Sequence, residues 1–168
     1  MCGIAGFVDS STDRMAVIKS MTDAIIHRGP DAEGFWLDEN SGVTLGHRRL
    51  SIRDLSPGGA QPMVSASGRL VMVYNGEIYN ADEIRERMPE VKLRGTSDTE
   101  ILLESFEKFG TEKTLDSVKG MFAIALYDRW GKSLTLIRDR IGEKPLYYGM
   151  VPMSEGSCRS DTPASFHR

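Results

Sequence analysis

The sequence predicts an α+β domain in which sheets pack on one another and helices lie outside them. Three observations predict this. Apolar runs of strand length outnumber segments with helical spacing, and the helical segments fall between groups of strands. Neither an internal repeat nor a linker interrupts the chain before a change of composition near Met150. At 168 residues and 40% hydrophobic content, the chain is large enough to bury one real core.

The elements follow in order. "CGIAGFV" is a glycine-containing apolar run of strand length, closed by the polar "DSSTD". "DRMAVIKSMTDAIIH" places Met15, Ile18, Met21 and Ile25 at steps of three and four, which predicts an amphipathic helix. Gly29 and Pro30 in "HRGPD" stop it. "EGFWLD" and "GVTLGHRRLSI" predict two strands across the turn-rich "ENSG", followed by the loop "SPGGAQP". "RLVMVYNGEIYN" predicts a buried strand running into a turn at Asn75-Gly76, with a helix around "ADEIRERM". "TSDTEILLESFEKFG" is the clearest helix, with Ser97 and Glu100 spaced as a capping box and Gly110 at its stop. "MFAIALYD" and "SLTLIRD" around "RWGK" predict a hairpin, and "KPLYYG" a further strand. The serine-rich "MSEGSCRSDTPASFHR" has no apolar period and predicts an unstructured tail.

The totals exclude several classes. A net charge of −3, spread along the chain, gives no basis for nucleic-acid or anionic-membrane binding. Apolar stretches are short and broken by charge, so no membrane span is expected, and the start lacks the pattern of a secretory signal. Cys2 and Cys158 cannot build a disulfide framework, so a reducing cytoplasm and a free Cys2 thiol are expected. His27, His47 and His167 lack metal-ligand spacing, and no phosphate-cradling glycine loop is found.

Cys2 stands directly behind Met1. If Met1 is removed, one residue carries both a thiol and a free α-amine. A thiol attacks as thiolate and needs a base. The α-amine, with an ordinary pKa of about 8, can serve as one near neutrality. The Asn75-Gly76 turn could present a side-chain amide and a backbone N–H as an oxyanion hole, or simply be a common turn dipeptide. The paired arginines of "GHRRLSIRD" suit a carboxylate clamp or a solvated surface. Asp98 favours the dipole of its helix or, with Glu77, a substrate ammonium.

Together "MCGIAGFVD", "HRGPD", "GHRRLSIRDL", "QPM", "YNGEIYN", "SDTE", "GMFAIALYD" and "RDRIGEKPLYYG" resemble, in order, the glutamine-hydrolysing domain of the asparagine synthetase family. This is a class II glutamine amidotransferase. The resemblance implies a four-layer αββα N-terminal-nucleophile hydrolase sandwich over residues 1–150. It implies that Cys2 attacks the side-chain amide of L-glutamine, giving a thioester and ammonia, and that water then releases glutamate. It further implies an oxyanion hole at Asn75 and Gly76, and Arg49 on the substrate carboxylate. The backbone of Leu50, Ser51, Ile52 and Arg53 would line the pocket, with Glu77 and Asp98 on the ammonium. Arg53 stands where family members carry an apolar residue.

Family members continue into an ATP- and magnesium-dependent synthetase domain that activates aspartate or a related acid. No such domain is found here, nor the family's "SE-K" element after Gly149, and Cys158 reads as incidental. The expected cofactors of this chain are therefore none, and the expected partners are glutamine, a synthetase domain or subunit, and a second copy in a homodimer. Two other readings stay open. One is a non-catalytic remnant or subunit that binds glutamine or a synthetase partner. The other is an amidotransferase with a sugar or polysaccharide acid as acceptor.

Overall fold

The computed structural model describes residues 1–9, 13–51, 57–150 and 164–167. Chain order runs β1 (Gly3–Val8), α1 (Arg14–Ala24), β2 (Ala32–Leu37), β3 (Val43–Arg49), β4 (Met63–Val64) and β5 (Leu70–Ile78). It continues with α2 (Ala81–Glu86), α3 (Asp98–Phe109), α4 (Thr111–Ser117), β6 (Gly120–Asp128), β7 (Ser133–Arg138) and β8 (Ala164–His167). One sheet is ordered β1-β3-β2, the other β4-β5-β6-β7-β8. Every pairing is antiparallel except β7 with β8.

Side-chain alternation along the central strands builds the layers. Val43 and Leu45 of β3 meet Val71 and Val73 of β5 and Ala125 and Tyr127 of β6, forming a core between the sheets. The intervening residues Met72, Tyr74, Ile124 and Leu126 point the other way and pack on Leu102, Leu103 and Phe106 of α3. α1 covers the outer face of the first sheet, burying Ile18 and Thr22. The order helix, sheet, sheet, helix is the expected four-layer sandwich. Burial of these side chains contributes roughly 1.5–3 kcal/mol each, enough to hold the two sheets as one body.

Four local expectations change. Met15 and Met21 are exposed, 49% and 37%, because α1 turns Ile18 and Thr22 inward instead. Asn75-Gly76 is no turn: β5 runs through both, opposite Ala123 and Phe122 of β6. A long partner strand overrides the turn preference of the dipeptide. "KPLYYG" forms no strand; Tyr147 and Tyr148 are exposed, and the preceding loop folds back so that Asp139 accepts the N–H groups of Glu143 and Lys144. In the serine-rich stretch, Ala164–His167 pairs in parallel with β7, since an open strand edge recruits backbone whatever its side chains. Cys158 lies outside the described residues.

The capping box is half realised. Ser97 Oγ accepts the Glu100 N–H at 3.3 Å, but the Glu100 carboxylate accepts from Arg94 and Gly95 instead of reaching back. Gly110, at φ +81°, ends α3 and begins α4, which periodicity did not predict.

Candidate active site

β1 and β3 place the thiol. Gly3 pairs with Arg48, so Cys2 lies one step beyond the ladder, beside the end of β3. The Leu50 N–H donates to Cys2 Sγ at 3.4 Å, and the thiol reaches the Leu50 carbonyl at 3.7 Å. Arg28 Nε donates to the Cys2 carbonyl at 3.1 Å. "HRGPD" is what brings these parts together. A Cβ on Gly29 would lie 2.4 Å from the Arg48 carbonyl oxygen, so only glycine lets this turn rest on β3. Asp31 then accepts the Ser51 N–H at 2.7 Å, holding the chain after β3 across the cleft.

The two arginines of "GHRR" part company by strand alternation. Arg48 is buried on the α1 side, bridging Asp23 and Glu33, and is structural. Arg49 falls on the opposite face and lines the cleft.

β5 supplies the facing wall. The N–H of Tyr74 donates to Gln61 Oε1 at 2.6 Å and that of Ile78 to Asp98 Oδ2 at 3.1 Å, both away from β6. By antiparallel alternation the Gly76 N–H lies on that same edge, between them. Asn75, 4% exposed, shares the inter-sheet face of Val71 and Val73. A Cβ on Gly76 would lie 2.2 Å from the Met121 carbonyl oxygen, so this position admits no side chain without moving β6. Asp98 opens α3, and its Oδ2 also accepts from the Tyr74 hydroxyl at 2.8 Å, which fixes the carboxylate at the cleft.

The cleft has a volume of about 160 Å³. Cys2, Arg49, Leu50, Ser51, Asn75, Gly76, Glu77 and Asp98 all line it, although they come from both sheets and from α3. Ile52 and Arg53 lie outside the described residues. The same wall contains Gln61, Thr99, Met121 and Lys144, to which sequence reasoning assigned no role. Gln61 and Lys144 belong to "QPM" and "KPLYYG", motifs noticed without a function. Among the described residues, no group of three or more His, Cys, Asp or Glu could hold a metal ion.

His47 lies under this wall. Its ring hydrogen-bonds the Tyr74 backbone, its Nε2 finds no partner among the described residues, and burial pushes its pKa down to about 4. The folded chain thus resists a proton that the unfolded chain accepts below pH 6.5. Stability from this group is complete above pH 6.5 and is lost as pH falls toward 4, about 3 kcal/mol in all. Urea midpoints of the wild type should decline across that window more steeply than those of His47→Gln. Parallel pH profiles would refute the assignment.

The family described as glutamine amidotransferase domain matches residues 1–166. Asparagine synthetase [glutamine-hydrolyzing] 2 of Bacillus subtilis strain 168 is 39% identical over 153 residues, spanning 88% of this chain and 20% of that protein. Asparagine synthetase B [glutamine-hydrolyzing] of Escherichia coli K12 is 38% identical, spanning 89% and 27%. Amidase chry2 of Gibberella zeae is 38% identical, spanning 88% and 24%. This chain therefore spans about a quarter of the length of these curated relatives. Among solved structures, glutamine phosphoribosylpyrophosphate amidotransferase from B. subtilis, complexed with ADP and GMP, shares the fold. It superposes with a TM-score of 0.57 at 18% identity, covering 76% of this chain and 34% of that one.

Proposed function

The chain belongs to the glutamine amidotransferase domain family, and from that premise we propose that it hydrolyses L-glutamine with Cys2 as nucleophile. Removal of Met1 frees the α-amine, which takes the thiol proton. The thiolate attacks the amide carbon, and the resulting oxyanion is met by the Asn75 side chain and the Gly76 N–H. The C–N bond breaks, the nitrogen leaves as ammonia with the proton held by the amine, and a thioester remains on Cys2. Water, deprotonated by the amine, attacks the thioester; glutamate departs and the thiol is restored.

Arg49 holds the substrate carboxylate, and Glu77 with Asp98 holds its ammonium, while Leu50 and Ser51 line the pocket. One observation carries this reading. Cys2 Sγ is held at the Leu50 backbone in a cleft that also gathers Arg49, to meet glutamine's carboxylate, and Glu77 and Asp98, to meet its ammonium.

The asparagine synthetases among the relatives support an activated aspartate as the ammonia acceptor; a synthetase domain or subunit that uses ATP and magnesium is part of the proposal. The amidase among the relatives carries a similar stretch under a name other than asparagine synthetase, and a sugar or polysaccharide acid is the alternative acceptor. Among the described residues no helix is long and apolar enough to cross a membrane, and a cytoplasmic location and a homodimer are part of the proposal.

Intact-mass spectrometry of untagged protein, before and after a diazoketone analogue of glutamine, tests the core of it. Loss of Met1 and one adduct on Cys2 are the expected result. Retained Met1, or a processed chain without adduct, would overturn the catalytic reading and favour a non-catalytic glutamine- or partner-binding subunit.

A further inference from the structure

The roles proposed above leave one cation of the cleft, Lys144, without a function. Lys144 is 5% exposed, yet its side chain lines the cleft beside Cys2. Buried ammonium groups are costly unless paired. The acceptor found for its Nζ among the described residues is a thioether, Met1 Sδ, at 2.8 Å, which is a weak one.

The neighbouring carboxylate makes no ion pair with it among the described residues. Asp139, at the end of β7, is committed to the backbone N–H groups of Phe122, Glu143 and Lys144. Arg138 Nε donates to the Lys144 carbonyl at 2.8 Å, so the backbone carrying Lys144 is held on both sides. The other charges around Cys2 are Arg28 on its carbonyl, Arg49 from β3, Glu77 from β5 and Asp98 from α3. Glutamine's carboxylate and ammonium account for the last three. Nothing in the substrate calls for Lys144.

We propose that Lys144 is a positioning residue that sets the charge state of the nucleophile, an inference that rests on Cys2 being that nucleophile. Its Nζ stands where the Met1 side chain ends, within one methionine's reach of the Cys2 nitrogen. Removing Met1 takes away the thioether and leaves the ammonium facing the new terminus. A cation there opposes the protonated α-amine, keeping it neutral and able to accept a proton. It also favours thiolate over thiol. One buried charge thereby prepares both the base and the nucleophile.

The test is the pH dependence of Cys2 alkylation by iodoacetamide in the processed protein, read by peptide mass spectrometry between pH 5 and 10. It needs no glutamine turnover, so it can fail or succeed independently of a glutaminase assay. Lys144→Met should raise the midpoint by about one pH unit, slowing alkylation at pH 7 by about tenfold. Lys144→Arg should keep the wild-type profile. A Lys144→Met profile that superposes on the wild type overturns the proposal. The wild type provides a second check that does not depend on any variant folding. Its midpoint should lie below that of the free peptide Cys-Gly-Ile-Ala-Gly, and an equal or higher value also overturns the proposal.

Discussion

Cys2→Ala should lower glutamine hydrolysis by about a thousandfold or more while leaving the fold intact. The size follows from the role. A thiol that forms the covalent intermediate has no substitute in the cleft, and the residual rate reflects binding and the oxyanion donors alone. The unchanged fold follows from position. Cys2 precedes β1, outside its ladder, and belongs to neither hydrophobic core. A side chain in such a place changes stability by roughly half a kcal/mol at most. Glutamate release and a urea melt on the same preparation decide the matter. Activity persisting in the variant would remove Cys2 from the mechanism.

The second large effect concerns an atom that no substitution can reach. A chain that keeps Met1, or carries any residue ahead of Cys2, has an amide where the proposed base should be. Hydrolysis should then fall by about 10²- to 10⁴-fold, the usual contribution of a positioned base. Met1 itself lines the cleft, so its retention also fills space meant for substrate. A tag followed by a protease site that leaves Cys2 first should restore the rate on cleavage. Full activity with the tag in place would show that the base lies elsewhere in the cleft.

The sequence was legible wherever a local pattern and its long-range use agreed. The apolar runs of β5 and β6 could be recognised as buried strands because both faces of a central strand are covered, and α3 announced itself through Ser97 and Gly110. It misled at Asn75-Gly76. Turn chemistry is a property of the dipeptide, whereas the extended conformation there is imposed by β6, more than forty residues downstream. The tail misled for a related reason, since pairing at the edge of β7 uses backbone groups that composition does not report.

At the site, residue type, order and the family resemblance singled out Cys2, Asn75, Gly76, Arg49, Glu77 and Asp98, and the structure gathers these six in one cleft. The residue pattern of the pair did not say which arginine faces the cleft; only the family resemblance named Arg49. Strand alternation bears that out, turning Arg48 under α1 and Arg49 into the lining of the cleft. Residue pattern could not reveal His47 or Lys144 either, because burial and unpaired donors exist only after distant segments meet.

By itself the sequence determined the fold class, the family and the chemistry available at Cys2, since these depend on residue identity and on patterns within one element. The tertiary structure alone decided how Cys2, Asn75 and Asp98 share one cleft. They sit on two sheets and a helix, and what joins them is the packing of the inter-sheet core and the antiparallel register. Both are set by contacts between residues far apart in the chain, which no window of sequence contains.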